Sequence, residues 1–562
     1  MKKIFTLLVL MMMAPWVGWG QEVWNGTADT KWYNDNPDAE EFTINTAEEL
    51  AGLAELAGPH SSDVTFSGKT VKLGENIILN EGVLSAEKKL NEGNFREWTP
   101  ISYFAGTFDG QGHTISGLYI VEDDLGDEAQ SRLGLFARAV GKIENTGIVD
   151  SYIKGGFMDY VSAFFAYGDG GSTNIISRCY FDGLIEAVDP YCVGLVCMWS
   201  GSVFNVIESC YNFGKINVTM SKCNASMATP YINGIGGSGA THQVYNCYNA
   251  GDINVTINYT EAKPNTFSLI SISGIGTGLN VSCYNTGNIT ISGSNDNATN
   301  IAIGGISGLG GSGIHYCYNT GKISSSVGTT SGMLNGAGSI MGFTLTGAKL
   351  EKNYYLKESN ESGIGFSLTG STEDVTGQIE GVPDFSTGEI AWKMREPITV
   401  NLIGTNREPN GETVEVTGYG QQLTANGEAI DKTPVLLAFD ENKGKEVYKL
   451  NLSVDDEKIP TPIYRNAIES NLLPEETYQD LIDEENDLDL VWYKGDEIVA
   501  YGNTYTPTED ATLTAKREKV YNIKTKVDPE GAGTITVNQP MAKEGETISF
   551  TVTTNEGYEF VS

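Results

Sequence analysis

Histidine, basic charge and long apolar runs are all scarce in this chain. Its 562 residues include 4 histidines, and 36 Lys and Arg stand against 72 Asp and Glu, a net charge of −36. None of His60, His113, His242 and His315 begins a His-Glu-x-x-His sequence, which excludes the two-histidine zinc helix of metallopeptidases. There is no Gly-x-Ser-x-Gly elbow or Walker loop, and the Gly-x-Gly-x-x-Gly strings Gly234–Gly239 and Gly308–Gly313 do not open a helical pattern as a dinucleotide fingerprint would, so no motif calls for a cofactor or metal. A charge of this sign repels nucleic acid and acidic membrane surfaces and favours solubility outside the cell. After the first twenty residues no apolar run approaches the length of a transmembrane helix, so no membrane span is expected once a leader is removed.

That leader is residues 1–20. Lys2-Lys3 is its basic region, Ile4 to Met13 its apolar region, and Gly18-Trp19-Gly20 a small-x-small cleavage pattern before Gln21. The apolar stretch is too short to span a bilayer, and no cysteine lies at the cleavage point to carry lipid. An exported chain is the expectation.

What is present in abundance is repetition. Cys179-Tyr180-Phe181-Asp182-Gly183 is followed by Cys210-Tyr211-Asn212-Phe213-Gly214 and Cys247-Tyr248-Asn249-Ala250-Gly251. Cys283-Tyr284-Asn285-Thr286-Gly287 and Cys317-Tyr318-Asn319-Thr320-Gly321 complete the run, at intervals of 31, 37, 36 and 34 residues. Degenerate copies flank it at Ile143–Ile148 and Leu350–Tyr355. A period in the thirties marks a stacked array. Stretches such as Ile232–Gly237 and Ile301–Gly308, β-branched at alternate positions and broken by glycine, form short strands rather than helices. One such coil cannot bury its apolar side alone, whereas stacked coils share ladders about 4.8 Å apart and one long core. The expected fold is all-β, a right-handed parallel β-helix, the hand following from strand twist and the crossover rule. The Gly four places after each Cys is expected to take positive φ at a corner common to all coils. Thr46-Ala47-Glu48-Glu49 reads as a capping box, and Leu50, Leu53, Leu56 and Ala57 extend it as an amphipathic helix over Thr46–Gly58 that covers the open end.

Eight cysteines in an exported protein first suggest disulfides. Cys179, Cys210, Cys247, Cys283 and Cys317 share one equivalent position, however, and should stack inward as reduced, buried hydrophobes. A row of thiols is not a tetrahedral zinc site. Cys192, Cys197 and Cys223 lie off this ladder, and Cys192 with Cys197 is the pair to consider for a bridge. Asn212, Asn249, Asn285 and Asn319 should form a hydrogen-bonded amide ladder, with Phe181 breaking the row. With Cys inward, Tyr180, Tyr211, Tyr248, Tyr284 and Tyr318 point outward as a stripe. Such a stripe suits sugar rings or a protein partner; the bland reading is packing, with the rings covered or supporting the sheet. The longer inter-coil loops Asn217–Tyr231, Asn254–Ser271 and Thr290–Ile301 are rich in Thr, Asn and Ser and are expected to emerge on one side, as a face suited to an uncharged glycan. His113, beside Asp109, reads as a turn residue. Asp252, Glu261 and Asp296 are scattered rather than gathered at repeat-equivalent positions, which disfavours a carbohydrate-cleaving groove. The acidic runs Glu122–Asp124 and Asp480–Asp487 lack calcium-loop spacing and read as solvated loops.

The Thr46–Leu50 helix start, the Gly106-Thr107-Phe108-Asp109-Gly110-Gln111-Gly112-His113-Thr114-Ile115 turn, Gly134-Leu135-Phe136 and the serial Cys-Tyr-Asn-x-Gly phrases together resemble bacterial surface proteins carrying GLUG motifs. The resemblance covers roughly residues 22–445, with Phe385–Trp392 and Tyr419–Leu436 similar to that family's closing segment. Val491-Trp492-Tyr493-Lys494-Gly495 and Thr504–Lys516 resemble an internalin-type B repeat, and Val520–Val561 resembles the start of a second, truncated copy. The organisation expected is a signal peptide over 1–20, a capped β-helix over 21–445, a B-repeat-like module over 446–518 and a partial module over 519–562.

The resemblance implies an exported protein at the cell surface, associated with the outer membrane or extracellular. The function expected is a non-catalytic adhesin or binding protein for glycan or an extracellular protein, with the five tyrosines as ligand-binding candidates. The alternatives are a polysaccharide lyase or hydrolase on the same scaffold, since a fold alone does not exclude catalysis, and a structural stalk for a further domain.

Overall fold

The computed structural model describes residues 22–58, 64–122, 131–168, 174–197, 205–221, 229–236, 242–258, 269–294, 300–310, 313–327, 336–344, 349–356, 359–360, 362–367, 379–382, 387–403, 409–421, 434–442, 445–466 and 471–561. The expected signal peptide, His60 and Cys223 lie outside them. Two compact units form, one from Met1–Pro383 with Thr399–Val416, the other from Asp384–Ile398 with Thr417–Ser562.

The first unit is a parallel β-helix. Glu41–Ile44 pairs in parallel with Thr70–Leu73, and that strand with Thr107–Asp109. Thr107–Asp109 pairs in turn with the long strand Lys142–Gly155, and Lys142–Gly155 with Asn174–Val188. From there each coil contributes three short strands to the same sheet. Tyr211–Asn212 and Lys215–Met220 are followed in register by Tyr248–Asn249 and Ile253–Asn258, then by Tyr284–Asn285 and Ile289–Ser294. A second wall is the seven-stranded sheet that begins at Arg132–Leu133 and runs through Tyr160–Ser162, Cys192–Gly194, Tyr231–Asn233, Leu269–Ser273 and Asn300–Gly304 to Gly336–Gly338.

Alternation of side chains makes one interior out of these ladders. Along Lys215–Met220 the residues alternate between partly exposed and buried, so Ile216, Val218 and Met220 face in. Ile216 stacks on Ile253, Ile253 on Ile289, and Ile289 on Ile323. Ile253 and Ile289 are fully buried, each contributing roughly 1.5–3 kcal/mol. All five ladder cysteines are fully buried in this same core with free thiols. The amide ladder is also present: Asn212 Nδ2 donates to Asn249 Oδ1, Asn249 to Asn285 and Asn285 to Asn319, each at 2.7 Å.

The expectation about glycine needs correction. None of Gly183, Gly214, Gly251, Gly287 and Gly321 takes positive φ. The left-handed residue stands one place before each cysteine instead, at Arg178, Ser209, Asn246, Ser282 and Tyr316, with φ of 51°, 52°, 51°, 51° and 55°. Glycine is required by the closeness of the coil beneath. A Cβ on Gly251 would lie 1.8 Å from the Gly214 carbonyl oxygen, and one on Gly287 2.0 Å from that of Gly251.

At the N-terminal end the capping box forms as expected. Thr46 Oγ1 accepts from the Glu49 amide at 3.2 Å, and Glu49 Oε2 accepts from the Thr46 amide at 3.3 Å. The helix Ala47–Leu56 turns Leu50 and Leu53 into the main core. The stretch before it holds the short helix Lys31–Asn34 and the strand Glu41–Ile44. Aromatic contacts run from Trp32 through Phe66 and Phe104 to Phe136, filling the first coils where later coils use Ile and Cys.

The second unit is built on a mixed sheet. Tyr448–Val454 pairs in parallel with Ala511–Lys519, which pairs antiparallel with Leu488–Lys494, and Glu497–Tyr501 continues from there. Leu450, Leu452, Leu490, Trp492, Leu513 and Ala515 form its core, and Trp492 Nε1 donates to the Gly502 carbonyl at 2.8 Å. Gly533–Val537 and Phe550–Thr554 make a separate antiparallel pair. Ala391, Val447 and Tyr464 pack as one cluster, so the segment around Trp392, expected to close the β-helix, packs within this unit.

Candidate binding face

The five candidate tyrosines form one continuous stack. Successive ring centroids from Tyr180 to Tyr318 are 4.8, 5.0, 4.8 and 4.8 Å apart, with interplanar angles of 4°, 5°, 2° and 8°. Their faces therefore lie against one another rather than toward a ligand. Tyr180 covers Gly147, where a Cβ would stand 2.2 Å from Tyr180 Cζ. At the other end Tyr318 is in register with the buried Tyr354. Tyr318 is 0% exposed and Tyr248 9%, while Tyr180, Tyr211 and Tyr284 keep partly exposed edges. Burial, followed by the nearby Asp182 carboxylate, pushes the Tyr180 phenol up to about 12. What the stack offers to an outside molecule is ring edge and hydroxyl.

Beside the stack, the same sheet turns an outward face to solvent. One column of that face runs Tyr119, Tyr152, Leu184 and Lys215 in register. Its apolar part is covered by the chain itself: Val83 packs with Tyr152 and Leu184, and Leu84, Phe95 and Tyr119 close around them. The covering segment is pinned at two points. The Asp150 carboxylate accepts from the Val83 and Leu84 amides at 3.1 and 2.7 Å, and Lys88 pairs with Asp182 and donates to the Phe213 carbonyl. Burial raises the Asp150 carboxyl above its ordinary value, although those amides oppose the shift.

Beyond this strap the column turns polar at Lys215, and hydrogen-bonding files dominate the face, uncharged from Asn217 onward in the first and throughout the second. Glu186, Asn217, Asn254, Thr290 and Ser324 are in register. Asn217 Nδ2 donates to Glu186 Oε1 at 3.3 Å and Asn254 Nδ2 to Asn217 Oδ1 at 3.1 Å. A second file runs Thr219, Thr256 and Ser292, with the last two hydroxyls 3.3 Å apart. A border file follows, in which Asn288 Nδ2 donates to Asp252 Oδ1 at 3.0 Å and Asn288 Oδ1 accepts from the Lys322 amide at 3.2 Å. The bonded side chains are oriented by their neighbours and still have donor or acceptor capacity toward solvent. No repeated motif marked these files in the sequence, because Asn, Thr and Ser vary within them; the Thr-, Asn- and Ser-rich segments starting at Asn217, Asn254 and Thr290 pointed to this side, and the inward alternation of Ile216, Val218 and Met220 was the signal that could have given the positions.

Other expected residues take structural places. Asp109 accepts from the Gln111 amide at 3.0 Å and from Asn145 Nδ2 at 2.8 Å; these bonds outweigh its burial and lower its carboxyl. The His113 amide donates to the Gly110 carbonyl at 2.7 Å, so His113 belongs to that turn. Asp483 accepts from Asn486 within the acidic run. Glu261, Asp296, Asp123 and Asp124 lie outside the described residues, as do the middles of the three inter-coil loops. A depression of about 340 Å³ is lined by Lys69, Thr107, Gly141 and Lys142. Its amines already have partners, Lys69 at the Pro37 and Ala39 carbonyls and Lys142 at Glu144. Among the described residues no cluster of His, Cys, Asp and Glu could hold a metal ion, and no helix is long and apolar enough to cross a membrane.

Comparison with known proteins adds a local match. Residues 523–562 match the family model of the divergent InlB B-repeat domain, where the second module copy was expected. No curated protein matches the chain. Among solved structures, a Bacteroides ovatus protein provisionally named an immunoglobulin A1 protease aligns at 16% identity and a TM-score of 0.34. The alignment covers 56% of this chain and 85% of that one. At that score the likeness carries no argument about fold or activity.

Proposed function

We propose that this chain is an exported, non-catalytic binding protein of the cell surface or extracellular space, and that its β-helix holds an uncharged glycan on the outward sheet face beyond the strap. The observation that carries this reading is the set of parallel amide and hydroxyl files over Asn217, Asn254, Thr290 and Ser324, and over Thr219, Thr256 and Ser292. A neutral, hydroxyl-rich polymer matches donors and acceptors that carry no net charge. Weak contacts repeated from coil to coil add through effective concentration. Tyr180, Tyr211 and Tyr284 flank this face with ring edges, whereas Tyr248 and Tyr318 act in packing. The leader pattern at residues 1–20 and the B-repeat match support export. An extracellular protein presenting an uncharged polar strip is the second ligand class.

The test is capture of neutral and acidic glycans and of matrix proteins by the purified full chain on an array. Asn254→Glu combined with Thr290→Glu places like charges on neighbouring coils and should abolish capture of a neutral glycan with the thermal midpoint nearly unchanged. Undiminished capture would move the site elsewhere, and shortening of the captured polymer would replace binding with catalysis.

A further inference from the structure

Cys192 and Cys197 meet on the outer side of a corner, away from the thiol ladder. Cys192 opens the strand Cys192–Gly194, in register between Tyr160 and Tyr231. Its neighbour Val193 lies in the main core, so alternation turns Cys192 outward. The chain then bends through Leu195 and Val196, which both reach the main core, and Cys197 emerges on the same outer side as Cys192. The two cysteines share a small separate cluster with Tyr160, Ala166 and Tyr191. The Cys197 thiol donates to the Val161 carbonyl at 3.4 Å, with Cys192 packed in the same cluster. Both are free thiols in this structure and both are fully buried.

The ladder cysteines also stand beside one another, as the Cys210 amide on Cys247 Sγ at 3.4 Å shows, but their neighbours belong to other coils. Each of their thiols is held against a carbonyl of its own coil, as Cys210 on Glu208 at 3.2 Å and Cys247 on Tyr245 at 3.1 Å. Partners along the ladder come from different coils and meet only when those coils stack, whereas Cys192 and Cys197 lie on one bend.

We propose that Cys192 and Cys197 form a disulfide in the exported protein, by exchange with a disulfide-bearing oxidant. One cysteine, as thiolate, attacks the oxidant's S–S bond and expels a thiolate, giving a mixed disulfide. The other cysteine's thiolate displaces the second oxidant sulfur and closes the ring. The two cysteines lose two protons and two electrons, and the oxidant leaves as two thiols. Exchange precedes closure of the corner, because thiols with no exposure, one of them pushed up by burial, are poor nucleophiles once folded. The inference rests on the export reading, so its test has two arms.

In the first arm the full chain is produced with its own N-terminal segment, fractionated, unfolded without reductant and alkylated. Six of the eight cysteines should take label, with a peptide linking Cys192 to Cys197, and all eight should label after reduction. In the second arm the reduced, unfolded chain is refolded with oxidised glutathione and counted in the same way. Six labels here with eight in the cell-derived protein would sink export and leave the pair standing. Eight labels in both arms, or a bond linking other cysteines, overturns the proposal. Cys192→Ser should take seven labels in both arms; fewer would show that Cys197 bonds elsewhere, which also overturns it.

Discussion

Asn285 stands in the middle of the amide file, accepting from Asn249 and donating to Asn319, and its Nδ2 also donates to the Gly287 carbonyl at 2.9 Å. Asn285→Leu leaves an N–H of Asn249 and the oxygen of Asn319 buried without these partners, at a cost of about 2–4 kcal/mol. Asn254→Ala, on the outward face, should cost less than about 0.5 kcal/mol; equal urea midpoints for the two variants would contradict the file's role. Burial, with Cys210 and Cys283 beside it, pushes the Cys247 thiol well up. All five ladder cysteines are fully buried and should alkylate only after unfolding, and Cys247→Ser should cost roughly 1–3 kcal/mol by burying a hydroxyl. Asp159 supplies a pH dependence. Burial raises its carboxyl from 3.8 to about 6, despite acceptance from the Gly156 and Ser131 amides. Between those values the folded chain keeps a proton that the unfolded chain releases, so this group's contribution to stability falls as pH rises toward 6. The stability of the parent relative to Asp159→Asn should drop by about 2 kcal/mol from pH 4 to 7; a flat difference would sink this.

At the scale of the element, the tyrosine stack is a packing device. Replacing Tyr248, Tyr284 and Tyr318 together with Ala removes ring contacts worth about 0.5–1.5 kcal/mol each beyond their burial. The thermal midpoint should fall markedly. An unchanged midpoint with lost ligand capture would restore the rings as a binding surface. Gly251→Ala meets the Gly214 carbonyl and should destabilise by about 3 kcal/mol or more, read by urea unfolding. Much of this architecture was legible in the sequence, because a residue type that recurs at one position reports one environment: Cys inside, Asn in a file, Tyr beside them. The left-handed corner was not legible. Arg178, Ser209, Asn246, Ser282 and Tyr316 share a backbone angle and no side-chain chemistry. The outward files were legible as Thr-, Asn- and Ser-rich stretches but not as files, since Asn254, Thr290 and Ser324 need only be short, polar and uncharged.

At the scale of the molecule, stability in a solenoid is close to a sum of coils and the contacts between neighbours. Excision of Tyr248–Cys283, one full period, joins Cys247 to Tyr284 with every ladder rejoined in register. The shortened chain should keep its β-sheet circular dichroism and bind the same glycan more weakly; loss of the fold would show that the coils are not interchangeable. The amide file adds a direction to this sum. From Asn212 to Asn285 every carboxamide gives a hydrogen to the coil that follows in the chain. The helix is therefore polar like a crystal with one growing face. A chain folding from its N-terminus always presents a waiting N–H, the costlier group to leave buried and unmet, and the oxygen that meets it belongs to the coil that comes next.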